Sequence, residues 1–134
     1  MERKIWIADD EEDVRCLQKD LLEYGFPDYN TELFASGTDI QTHLEKILSG
    51  KIDSPNLLIC DNTMMPGLTG LEIIREYASK MHFPIILHSA CDESVMLDAL
   101  ACGAHSYLPK PTNMDKYFSA VRNALEKSSV DLSS

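Results

Sequence analysis

The sequence predicts an α/β fold, a doubly wound five-stranded parallel sheet with helices on both faces. Short apolar runs alternate five times with longer segments of helical period. The runs are apolar throughout instead of alternating, as expected of strands that crossover helices bury on both sides. Four of the five end in residues that can carry chemistry: Asp9-Asp10, Asp61, Ser89-Ala90 and Lys110-Pro111. In open parallel sheets the carboxyl ends of the strands form the ligand-binding edge.

The first run is Ile5-Trp6-Ile7-Ala8. A helix should follow, with Val14, Leu17, Leu21 and Leu22 on one stripe and an end near Gly25 and Pro27. Thr31 to Ala35 reads as the second strand, and Ser36-Gly37-Thr38 turns into a helix carrying Ile40, Leu44, Ile47 and Leu48. Leu57 to Cys60 forms the third strand. Pro66, Gly67 and Gly70 lie in the loop after it, before a helix marked by Leu71, Ile74, Tyr77 and Ala78. Pro84 opens the fourth strand, Ile85 to His88, followed by a helix with Val95, Met96, Ala99 and Leu100 that stops at Gly103. The fifth strand is expected over His105 to Leu108, and the last helix uses Tyr117, Val121 and Leu125. Residues 1–127 form one domain and 128–134 a polar tail or the start of a linker. Right-handed crossovers give strand order 2-1-3-4-5, a flavodoxin-like arrangement.

The 134 residues suit one hydrophobic core, and a net charge of −10 argues against direct contact with nucleic acid or an anionic membrane. No apolar run approaches the ~20 residues needed to cross a bilayer. The N-terminus lacks the features of a signal peptide, so a cytoplasmic location is expected. Cys16, Cys60, Cys91 and Cys102 share no metal-ligand spacing and read as reduced thiols.

With the expected strand order, Asp9, Asp10, Asp61, Ser89 and Lys110 converge on one rim. Clustered carboxylates raise one another's pKa unless a cation sits among them. Mg²⁺, a hard ion that takes one or two carboxylates with water and phosphate oxygens, resolves this. A lysine and a hydroxyl nearby could then spread the charge of a phosphoryl group, and an aspartate can serve as nucleophile.

The run Lys4 to Glu11, the segment Leu58-Ile-Cys-Asp61 with Met65-Pro66-Gly67, the strand Pro84 to Ala90 and the stretch Gly103 to Pro111 resemble, in order, the receiver domains of two-component response regulators. The resemblance covers residues 4 to 127. It implies that Asp61 accepts a phosphoryl group from a histidine kinase or histidine phosphotransfer protein and that the domain catalyses only its own phosphorylation and dephosphorylation. It also implies Asp10 as a direct Mg²⁺ ligand and Asp9 as one acting largely through water. Asp61 and the Thr63 carbonyl would complete the protein's ligands. Ser89 and Lys110 would bind the phosphoryl group, Tyr107 would switch rotamer, and Lys110-Pro111 would be cis.

The match departs from the family pattern at one place. Pro66 follows Asp61 by five residues where the family has four, so counting back from Pro66 puts Asn62 at the acceptor position. The apolar strand running up to Asp61 favours Asp61, with one extra residue in the loop; the Asn62 register would make a pseudo-receiver. The insertion also bears on Thr63.

Plainer roles stand beside these. Glu12 and Asp13 suit the first turn of a helix, and Ser89 alone could be a cap. Tyr107 could pack on the sheet edge. His43, His82, His88 and His105 share no metal spacing, and Met64 and Met65 suit loop packing. Thr63 and Cys91, each two residues beyond Asp61 and Ser89, could border the phosphoryl group.

The leading function is a phosphorylation-driven switch acting on the face of the fourth helix, fifth strand and fifth helix. The alternative is a phosphorylation-independent adaptor. A haloacid-dehalogenase phosphatase would need a second aspartate where Thr63 stands. The sequence leaves open a stand-alone receiver or part of a longer regulator.

Overall fold

The computed structural model describes residues 2–90 and 92–133, with side chains described through residue 127. The strands are β1 (Lys4–Ala8), β2 (Asn30–Phe34), β3 (Leu57–Cys60), β4 (Ile85–Ala90) and β5 (Ser106–Lys110). The helices are α1 (Glu12–Gly25), α2 (Gly37–Leu48), α3 (Gly70–Tyr77), α4 (Glu93–Ala101) and α5 (Met114–Ser133). A 3₁₀ turn, Ala78–Lys80, extends α3. All pairings are parallel, in the order β2-β1-β3-β4-β5.

The sheet is covered on both sides, as uninterrupted apolar strands require. One core packs Trp6, Ala8, Leu58, Cys60, Ile85 and Leu87 against α2, α3 and α4. The other packs Ile5, Ile7, Leu57, Ile59, Ile86 and Leu108 against α1 and α5. Each fully buried aliphatic side chain contributes roughly 1.5–3 kcal/mol relative to exposure. These strands are therefore stable without help from the rim.

Local signals start the helices. Ser36 accepts from the Asp39 N–H at 3.1 Å, and Asp92 accepts from Val95 at 3.2 Å. Thr69 and Glu72 exchange bonds in a capping box.

Three expectations need correction. Leu17 is 59% exposed and Leu48 43% exposed. In α1 the inward positions are Gln18 and Leu22, because Gln18 accepts a bond from the buried Tyr117 hydroxyl at 2.8 Å. β5 starts one residue later than expected and extends to Lys110, which pairs with Ala90. The backbone of residues 128–133 continues α5 instead of leaving it as a tail; no glycine or proline lies there to stop a helix.

Candidate functional site

Asp9, Asp10 and Asp61 meet at the carboxyl rim, with one carboxylate oxygen from each within 4.8 Å of the others. β1 and β3 are adjacent and in register, Ala8 opposite Cys60, so the residues that follow them emerge side by side.

Asp9 is 1% exposed and tied down on every side. Its N–H donates to the Phe34 carbonyl at 3.0 Å, and its own carbonyl accepts from Arg15 Nη1 at 2.8 Å. Its carboxylate accepts from the Glu11 N–H at 3.0 Å and from Lys110 Nζ at 2.7 Å. Asp10, the next residue, is exposed. The turn that Asp9 holds therefore presents the Asp10 carboxylate to the rim. Arg15 gave no signal in the sequence, being a single cation on a helix with no distinctive spacing.

Asp61 is 7% exposed. Its N–H donates to the Ala8 carbonyl at 2.9 Å, and its carboxylate accepts from the Asn62 N–H at 2.7 Å. Lys110 Nζ lies 3.4 Å from the other carboxylate oxygen. Asn62 faces the next helix: its side chain accepts from the Leu71 N–H at 3.0 Å and its carbonyl accepts from Gly70 at 2.8 Å. A side chain on Gly70 would put a Cβ 2.3 Å from the Asp61 carbonyl, so only glycine lets α3 start this close to the acid.

In the loop between Asp61 and α3, Met64 turns into the core while Met65 stays outside. Met64 and Pro66 carbonyls accept from the Gly37 and Thr38 N–H groups at 2.6 and 3.0 Å. Thr63 is exposed. The Met65–Pro66 and Lys110–Pro111 peptide bonds are both cis; the family resemblance implies the second, and nothing in the sequence marked the first.

Ser89 is buried on β4, opposite Pro109 of β5. The Tyr107 hydroxyl donates to the Ala90 carbonyl and accepts from the Asp92 N–H at 3.3 Å. Tyr107 is thus joined to the segment that follows Ser89. Cys91 lies outside the described residues. Cys60 is buried directly beneath the acids; burial pushes its thiol pKa far up, and Asp61 and Asp9 add to this, so it is inert.

The electrostatics are those of a site short of positive charge. Burial pushes the Asp61 pKa up, Lys110 pulls it down and Asp9 adds to the rise, leaving it above its ordinary value. Burial works against the charge of Lys110, yet its bond to Asp9 and the charges of Asp61 and Asp9 outweigh that and hold its pKa high. One ammonium serves two buried carboxylates, while Asp10 adds a third. A cluster of hard oxygen donors with excess negative charge suits Mg²⁺, and Asp10 and Asp61 are the residues that could hold it directly.

Beside Lys110 runs an apolar groove of about 610 Å³ between α1 and the turn from β5 to α5. Val14, Leu17, Leu21, Pro111 and Met114 line it. His88 reaches it from β4 and stacks edge-on against Tyr117, with ring centroids 5.7 Å apart. Burial, aided by Lys110, lowers the His88 pKa to about 4, so the ring is neutral. Nothing in the spacing of the histidines singles this one out.

The sequence matches the response regulator receiver domain family over residues 5–122. It is 40% identical over 107 residues to Protein PetR of Rhodobacter capsulatus, covering 78% of this chain and 41% of that protein. It is 34% identical to Response regulator MprA of Mycobacterium ulcerans, covering 98% of this chain and 53% of that protein. The chain thus spans about half the length of these curated relatives. The crystal structure of a response regulator receiver domain protein from Clostridium thermocellum superposes with a TM-score of 0.80 at 27% identity, covering 96% of this chain and 98% of that one. A CheY-like receiver domain protein from Methanospirillum hungatei shares the fold, with a TM-score of 0.83 at 20% identity over 98% of this chain and 99% of that one.

Proposed function

The chain belongs to the response regulator receiver domain family, and from that premise we propose that it is a phosphorylation-dependent switch with Asp61 as acceptor. The observation that carries this reading is the placement of the Asp61 carboxylate between the acids Asp9 and Asp10 and the ammonium of Lys110.

In the proposed reaction a carboxylate oxygen of Asp61 attacks the phosphorus of a phosphohistidine. An O–P bond forms as the N–P bond breaks, and the imidazole nitrogen leaves with the electron pair. A bound Mg²⁺ would supply charge neutralisation between the acids and the phosphoryl oxygens. Asp10 and Asp61 would hold it directly, the Thr63 carbonyl would be a third ligand, and Asp9, whose two carboxylate oxygens already accept from Glu11 and Lys110, would act through water. Lys110 sits within reach of both acids, so it can follow the charge from the carboxylate to the phosphoryl group. The domain would act only on itself, in a single cycle of phosphorylation and hydrolysis, and would not turn over a substrate.

Ser89 would donate to a phosphoryl oxygen. Any shift of Ser89 would pull on the backbone of Ser89, Ala90 and Asp92, which bonds the Tyr107 hydroxyl, and would repopulate the rotamers of that ring. The face of α4, β5 and α5 would then carry the signal. The donor would be a histidine kinase or histidine phosphotransfer protein, and the apolar groove beside Lys110 gives it a surface next to the acceptor. Among the described residues no helix is long and apolar enough to cross a membrane, in keeping with a site of action in the cytoplasm.

Incubation with acetyl phosphate and Mg²⁺, followed by mapping of the modified residue, tests the reading. Mg²⁺-dependent label on Asp61 is the expected result. A protein that takes no label under these conditions is a phosphorylation-independent adaptor.

A further inference from the structure

The opposite rim of the sheet holds a second polar feature. Between the end of α3 and the starts of β4 and β5 lies a cavity of about 730 Å³. It is separated from Asp61 by the length of β4, six residues or roughly 20 Å. Met81, Phe83 and Pro84 form an apolar wall, and His82, His105 and Lys127 supply the polar groups.

Its charge is unlike that of the rest of the molecule. The chain carries 22 acidic residues against 12 lysines and arginines, yet among the described residues no carboxylate lines this cavity. The His105 main chain is anchored, its N–H donating to the Ile85 carbonyl at 2.8 Å. Its Nδ1 is buried and has no hydrogen-bond partner among the described residues. An unpaired buried polar atom costs about 1–3 kcal/mol unless something binds it. Burial and the nearby Lys127 ammonium together lower the His105 pKa, so the lysine charge reaches the ring. An anion between the two would relieve that opposition. The residues are far apart in sequence, and only the adjacency of β4 and β5 brings them to one cavity.

We propose that this cavity binds a small organic anion, its phosphate or carboxylate head between Lys127, His82 and His105 and its apolar body against Met81, Phe83 and Pro84. The cavity is too large for an inorganic ion alone, and its apolar wall gives such an ion nothing to contact. Acetate-sized or purely apolar molecules satisfy only half of the lining. The site is independent of the phosphoryl chemistry at the other rim.

Phenyl phosphate is a suitable probe, being a dianionic head on a flat apolar body. In ¹⁵N-labelled protein with EDTA present, it should give saturable amide shifts at His82, Gly103 and His105. Inorganic phosphate and phenol, the two halves of the probe, should each bind at least about tenfold more weakly, a difference of ~1.4 kcal/mol. Lys127→Gln combined with His82→Gln should weaken phenyl phosphate by about tenfold or more. Both residues are exposed, so the fold should survive, and Lys127→Gln alone should give a smaller loss in the same direction. Asp61→Asn should bind the probe unchanged, which separates this site from the acceptor. Shifts centred on Leu17 and Met114, shifts scattered over surface lysines, or affinity indifferent to the double substitution would overturn the proposal.

Discussion

The ends of β1 and β3 lie side by side and carry the same side chain, but they are built in opposite ways. Asp9 at the end of β1 is bound through its amide, its carbonyl and both sides of its carboxylate. Asp61 at the end of β3 also donates its N–H, to the Ala8 carbonyl, but its carboxylate has one short bond, from the Asn62 N–H, with Lys110 farther off. Lys110 is 2.7 Å from Asp9 and 3.4 Å from Asp61. One acid is part of the frame. The other is buried, raised in pKa and underpartnered, as a group should be that awaits a cation and an incoming charge. Identical carboxylates one strand apart thus acquire different surroundings from their bonds alone.

The strongest way to break this comparison is Asp61→Asn. Labelling by acetyl phosphate should be abolished, because an amide cannot form the acyl phosphate. The same substitution should raise thermal stability. A carboxyl whose pKa is higher in the fold than in the unfolded chain is penalised when ionised, fully so above its folded pKa and not at all below the unfolded value near 3.8. The Asp61→Asn protein should therefore melt at a higher temperature than the parent at neutral pH. Its advantage should shrink as pH falls toward 4 and also when Mg²⁺ is added to the parent. Equal melting of the two proteins at neutral pH would mean that Asp61 carries no such penalty.

His88, on the strand beside Asp61, tests whether the buried rim tolerates charge. Its folded pKa of about 4 lies below the ordinary value of 6.5. Protons bind the unfolded chain first, so the stability of the neutral ring is intact above 6.5 and is lost as pH falls toward 4. The loss is on the order of 3 kcal/mol at its limit. Urea unfolding at pH 7 and pH 4.5 should show a smaller acid loss for His88→Leu than for the parent. Parallel losses would show that His88 does not remain neutral in the fold.

A smaller effect should separate Asp10 from its neighbours. Asp10→Ala should weaken Mg²⁺ binding by about tenfold or more, whereas Glu12→Ala, in the first turn of α1, should change it little. Trp6, buried three residues before Asp9, offers a fluorescence readout. Equal effects from the two substitutions would mean that the β1 turn does not aim Asp10 into the site.

The smallest expected effect sharpens the β3 end. Asn62→Ala removes the acceptor of the Leu71 N–H at the start of α3 and should cost about 1 kcal/mol. Label should still appear on Asp61. Loss of labelling with stability intact would show that the Asn62 side chain is itself needed for phosphorylation of Asp61.

The sequence by itself determined the order of elements, the sheet order and the rim on which the acids, the hydroxyl and the lysine gather. These follow from local information: uninterrupted apolar runs, turn residues and the chemistry placed directly after each strand. The sequence favours Asp61 over Asn62 as the acceptor because Cys60 is the last apolar residue of β3, and the labelling experiment tests that choice. Tertiary structure alone decided what each side chain does there. Asp9 is anchored because its partners Phe34, Arg15 and Lys110 come from three other elements. Leu17 looked like core and is exposed because Tyr117, 99 residues beyond Gln18, pulls Gln18 inward instead. Met64 turns into the core from the loop after β3, and His82, His105 and Lys127 share a cavity without any shared spacing. Periodicity reports which face of an element is buried. Partners supplied by distant elements leave no trace in it, since their proximity arises only when the crossovers close the sheet.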